Sequence, residues 1–170
     1  MRKIANRTAS ALIVAGVALA GVVSAPGTAL GQGLKEQILG TWRQVAIYNE
    51  EGGAKRHLYG DNPVGLVVFD RTGYYISYLS KADLPKFAAN NRLKGTDAEY
   101  RAVMHGMIAG FGTYTVDGDT VTIKWIASSF PNRAGTTEKR TYKLTGDELT
   151  AVNPTASSGG TSYAKFTRVK

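Results

Sequence analysis

The chain has 170 residues, 43% of them hydrophobic, no cysteine and a formal charge of +8. Without cysteine there is no disulfide, no thiolate metal site and no lipid-modified cysteine anchor. Cations lie singly or in short pairs such as Lys55-Arg56 and Lys139-Arg140, which argues against nucleic acid as a partner.

Residues 1–31 read as a secretory signal. Arg2, Lys3 and Arg7 form a basic leader, residues 11–23 an apolar run, and Ala29-Leu30-Gly31 a small-residue cleavage site. The run is shorter than the roughly 20 apolar residues that span a bilayer. Cleavage removes three basic and no acidic side chains, so the balance falls from +8 to +5 over the remaining 139 residues. Residues 32–170 suffice for one domain with one core. The expected product is secreted or periplasmic.

From Gly40 onward, runs rich in Val, Ile, Thr, Tyr and Phe alternate with Gly, Asp and Asn, the pattern of antiparallel strands. Predicted strands cover 41–49 and, briefly, 56–59; 65–69 and 74–78 form a hairpin around Asp70-Arg71-Thr72-Gly73. Residues 81–95 read as a loop. Thr96 and Glu99 then form a capping box, and Tyr100, Val103, Met104, Met107, Ile108 and Phe111 follow at helical spacing. Gly110 and Gly112 are expected to end that helix. Strands resume at 112–116, 120–127, 138–144, 148–152 and 161–169. These elements predict an all-β, eight- to nine-stranded antiparallel barrel with one amphipathic helix, about 96–109, packed against it.

Several stretches, in this order, resemble the bacterial lipocalin-like domain family, a calycin-type barrel: Gly40-Thr41-Trp42-Arg43, Asp61-Asn62-Pro63-Val64-Gly65, Asp70-Arg71-Thr72-Gly73-Tyr74, Arg92-Leu93-x-Gly95-Thr96, Gly112-x-Tyr114-x-Val116 and Ser129-Phe130-Pro131-Asn132. The resemblance covers nearly all of the chain after the leader and implies a cavity more firmly than a reaction. Relatives often carry a histidine in the strand before the Pro-Asn segment. Here that strand reads Val121-Thr122-Ile123-Lys124-Trp125-Ile126, so any chemistry resting on that histidine is missing. The resemblance also implies that Trp42 closes the barrel floor beneath Arg168.

The candidate cavity lining is Gln44, Tyr48, Tyr59, Phe69, Tyr75, Tyr114, Trp125 and Phe166. Tyrosine offers a wall both an apolar face and an orienting hydroxyl; the competing reading of any one of them is plain core filling. Alternation places Trp42, Gln44, Ala46 and Tyr48 on one face. In the 65–78 hairpin Val67 and Phe69 compete with Leu66 and Val68 for the inward face. Two histidines, His57 and His105, do not make a metal site, and no cofactor motif is present. The leading expectation is a carrier of a small apolar or amphipathic molecule. The alternatives are a barrel enzyme (isomerase, cyclase or hydratase) using Tyr or Lys124 as acid–base group, and an envelope interaction protein with a filled core. A mildly basic exterior suits peripheral contact with an anionic membrane surface.

Overall fold

The computed structural model describes residues 33–170; the predicted export signal and its cleavage site lie outside the described residues. A one-turn helix α1 (Leu34–Gln37) leads into β1 (Gly40–Glu51), β2 (Ala54–Arg56), β3 (Val64–Phe69) and β4 (Tyr74–Ser80). Helix α2 (Asp97–Gly106) follows, then β5 (Met107–Asp117), β6 (Thr120–Ser128), β7 (Thr137–Thr145), β8 (Glu148–Asn153) and β9 (Thr161–Arg168). Neighbours pair antiparallel in the order β2-β1-β3-β4-β5-β6-β7-β8-β9, and β1 also pairs with β9. That last ladder closes an eight-stranded barrel, with β2 as a short flap folded back on the end of β1. Closure leaves the eight wall strands no free edges. Among the described residues no helix is long and apolar enough to cross a membrane.

Turn chemistry sets the hairpins. Between β3 and β4 the Asp70 carboxylate accepts from the Thr72 backbone N–H at 2.8 Å, and Gly73 sits at φ +91°, a conformation that favours glycine. The register Phe69↔Tyr75 and Val67↔Ser77 then fixes the face left open by the sequence. Val67, Phe69, Tyr75 and Leu79 turn inward, while Leu66, Tyr74, Ile76 and Tyr78 are exposed.

Strand β1 is bent because it serves two neighbours. Its first residues, 40–43, pair with β3, and residues 42–50 pair with β9. A bulge between Gln44 and Ala46 absorbs the bend and reverses the alternation. Trp42 and Gln44 point in, and beyond the bulge Ile47 and Asn49 do so instead. Ala46 and Tyr48, predicted on the Trp42 face, are therefore turned outward.

The capping box is present, with Glu99 N–H donating to Thr96 Oγ1 and Thr96 N–H donating to Glu99 Oε2. The helix ends earlier than predicted, at Gly106, because residues 107–113 ladder with β4. A side chain at Gly106 would meet Leu84 at 2.5 Å. Gly110 and Gly112 are thus strand residues, and Gly112 is required by close approach: a Cβ there would lie 2.1 Å from the Lys124 carbonyl oxygen. Phe87 packs on Tyr100 and the Gly95 N–H donates to the Tyr100 hydroxyl, so α2 holds the 81–95 loop.

Buried side chains form a core inside the barrel. Ile38, Trp42, Phe69, Val121, Ile123, Tyr142, Leu149 and Phe166 belong to a single cluster. Within it the Trp42 indole lies under Arg168. The Arg168 guanidinium lies 4.1 Å from the Trp42 ring centre and donates to the Leu39 and Gln37 carbonyls at 3.0 and 2.7 Å. The Trp42 indole N–H donates to the Ile38 carbonyl at 2.7 Å.

Candidate functional site

Beside that cluster lies a small cavity. The space measures about 70 Å³ and is walled by the end of β1 (Ile47, Asn49), the end of β4 (Ser77, Leu79), and facing residues of β8 and β9. Residues 156–158 and Tyr59 complete the wall. Two asparagines pin the 154–160 loop beside it. Asn49 Nδ2 donates to Ser158 Oγ and to the Gly159 carbonyl, both at 2.9 Å, and the Thr155 N–H donates to Asn153 Oδ1 at 3.0 Å.

One side of the cavity is charged. Strand β7 alternates strictly, and Glu138, Arg140, Tyr142 and Leu144 face inward while Lys139, Thr141 and Lys143 are exposed. Arg133 reaches the same place from the 3-10 turn Pro131–Arg133, where proline begins the turn with its fixed φ. The Arg133 guanidinium stacks 4.4 Å from the Trp125 ring centre, with Nη2 3.4 Å from Glu138 Oε2. Arg140 donates through Nε to Glu138 Oε1 and through Nη1 to the Tyr75 hydroxyl at 3.1 Å. Asn153 Nδ2 donates to Glu138 Oε1 at 3.0 Å. One carboxylate therefore serves two guanidiniums, and both Arg133 and Glu138 are only 8% exposed.

Burial works against the Arg133 charge, with Glu138 opposing that effect. Burial works against Arg140 too, but Tyr75, Tyr142 and Glu138 outweigh it and hold the group above the ordinary arginine range. Both guanidiniums thus stay charged inside the wall. Two buried donors beside them lack a normally shaped hydrogen bond among the described residues, the Trp125 indole N–H and the Tyr142 hydroxyl.

A family model for the lipocalin-like domain matches residues 39–167, most of the chain. The chain belongs to the lipocalin-like domain family. No curated protein matches it. Among solved structures, it is similar to that of Rv2717c from M. tuberculosis, at 15% identity over 81% of this chain and 97% of that one, with a TM-score of 0.30.

The lipocalin-like barrel distributes the eight predicted lining residues unevenly. Gln44, Tyr59, Tyr75 and Phe166 border the cavity. Phe69 and Trp125 are buried in the adjoining cluster, Trp125 as the platform under Arg133. Tyr114 lies outside the cavity. Its ring meets Phe69 edge-on and its hydroxyl donates to the Asp70 carbonyl at 3.1 Å, tying β5 to the β3–β4 turn. Tyr48 is on the outer surface, stacked on Tyr163 with ring centres 5.0 Å apart, because the β1 bulge turned it there. Lys124 is exposed, between inward Ile123 and Trp125. His57 is half exposed and 3.7 Å from Asp61.

Sequence reasoning missed Arg133, Glu138, Arg140, Asn49 and Asn153. A signal existed for two of them: alternation from Tyr142 and Leu144 already points Arg140 and Glu138 inward, although Lys139-Arg140 reads first as a solvated basic pair.

Alkaline titration will expose this interior. Burial raises the hydroxyl of Tyr142, with Tyr75 adding to it; burial likewise raises Tyr59, against a downward pull from Arg133. Unfolded tyrosines ionise near pH 10 while these stay protonated, so above that pH the folded state binds more protons. Stability is thus full below about pH 10 and is lost as the pH rises beyond it. Ultraviolet titration will show a group of the nine tyrosines ionising only on unfolding. Ionisation of all of them near pH 10 with the fold intact would contradict this interior.

Proposed function

We propose that this barrel is an exported binding protein that holds a small amphipathic molecule in the cavity above its filled core. The observation that carries the reading is the division of the wall: Val67, Leu79, Ala164 and Phe166 supply an apolar side, while Arg133, Arg140 and Tyr75 supply fixed donors. Export rests on the basic leader, apolar run and small-residue site of residues 1–31.

The magnitudes favour an amphipathic guest over a purely apolar one. A molecule that fits this space buries about 100–150 Å² of apolar surface, about 2.5–4 kcal/mol. Association costs about 4 kcal/mol or more. Apolar contact alone therefore leaves no net affinity, and polar contacts must supply it. The enzyme alternative loses Lys124 as an acid–base group, since that side chain is exposed on the outer face, and keeps only the cavity tyrosines Tyr59 and Tyr75. A filled-core adaptor does not agree with the hollow.

Native mass spectrometry of the protein purified from its own host tests the carrier reading. The expected spectrum contains a species heavier than the chain by one small organic molecule. Spectra that stay empty across growth conditions would end the reading.

A further inference from the structure

We infer that the guest is a small monocarboxylate whose carboxylate docks on Arg133 and Arg140, with its tail against Val67, Leu79 and Phe166. This rests on the carrier reading above and specifies its ligand.

Charge comes first. The cavity wall carries Arg133 and Arg140 as its charged residues, and the carboxylate next to them is Glu138. Two positive groups and one negative leave one positive charge without a partner in a buried setting. An uncompensated buried charge is costly, and a bound monoanion removes the imbalance. A dianion, such as a phosphate monoester, would overshoot and leave a net negative charge.

Hydrogen bonding gives the same answer. Each guanidinium has five N–H donors and no acceptor. Among the described residues, the acceptors that reach them are the two Glu138 oxygens, the Tyr75 hydroxyl and, at a long 3.5 Å, Ser157 Oγ. Ten donors facing four acceptors leave capacity for a guest with two oxygens in one plane, the shape an arginine fork matches. Glu138 is itself held by Arg140 and Asn153, so it stays in place when an anion arrives. The Trp125 ring fixes the plane of Arg133 from one side.

Size sets the tail. A water needs about 10–15 Å³ of such space, so about 70 Å³ holds about five water-sized groups. That admits a short acid and excludes a long one unless its tail leaves through the mouth.

The test is calorimetric titration of the full protein with straight-chain monocarboxylates of two to ten carbons. Primary amides and alkyl phosphates of matched length serve as controls. The expected result is at least tenfold tighter binding of an acid than of its amide, strongest at short chain length. Arg133→Met should abolish that preference, and Arg133→Lys should keep part of it. Arg133→Met leaves Glu138 paired with Arg140, so the variant retains a neutral, folded interior.

Amides binding as tightly as acids would overturn the anion assignment and leave the carrier reading standing. So would alkyl phosphates binding more tightly than acids, or an Arg133→Met variant with its acid preference unchanged. If no acid binds a protein whose native spectra do carry a guest, the carboxylate inference alone fails. If no acid binds and the spectra are empty, both fail.

Discussion

Trp42→Ala will lower the stability of the barrel by about 3–5 kcal/mol, among the largest losses any single truncation produces here. The indole is fully buried within the central cluster. Its removal leaves a large void and deprives the Ile38 carbonyl of its donor and the Arg168 guanidinium of its stacking surface. The guanidinium contributes about 0.5–2 kcal/mol through that stack, so Arg168→Ala should cost less than Trp42→Ala. Denaturant unfolding at neutral pH measures both. A loss below about 1 kcal/mol for Trp42→Ala would mean that the indole does not seal the floor.

Glu138→Ala will be of similar size for a different reason. It leaves Arg133 and Arg140 buried side by side without a counter-charge, and breaking a buried ion pair by removing one partner costs about 3–5 kcal/mol. Arg133→Met should cost much less, because Glu138 and Arg140 remain as a neutral pair held by Asn153. The order of the two variants is the informative result. Equal small losses would place these charges in water rather than in the wall. Addition of a bound monocarboxylate should recover part of the Glu138→Ala loss, since ligand binding to the folded state stabilises it by mass action.

The strand ladder was largely legible, because alternation and the turn residues at 70–73, 117–119 and 145–147 are local signals. The misreadings have tertiary causes. Tyr48 was misplaced because β1 must bend to reach both β3 and β9, and the bulge that permits this has no mark in the residues around Gln44. Met107, Ile108 and Phe111 fit a helical stripe equally well, yet laddering with β4 wins, and the two glycines in that run serve close approach to β6. The charged wall stayed hidden because a buried Arg140 makes sense only once Arg133, Asn153 and Tyr75 arrive from elsewhere in the chain. Of those contacts, Arg140 to Tyr75 spans the interior between β7 and β4, which are not neighbours in the sheet.

The seam between β1 and β9 joins the beginning of the domain to its end. Such distant pairing is slow, since the intervening chain must be gathered first. A nascent chain lacking its final dozen residues has no Phe166 in the wall and no Arg168 over the indole, and both margins of the sheet are bare. The cavity has no complete wall until β9 has paired with β1 and β8.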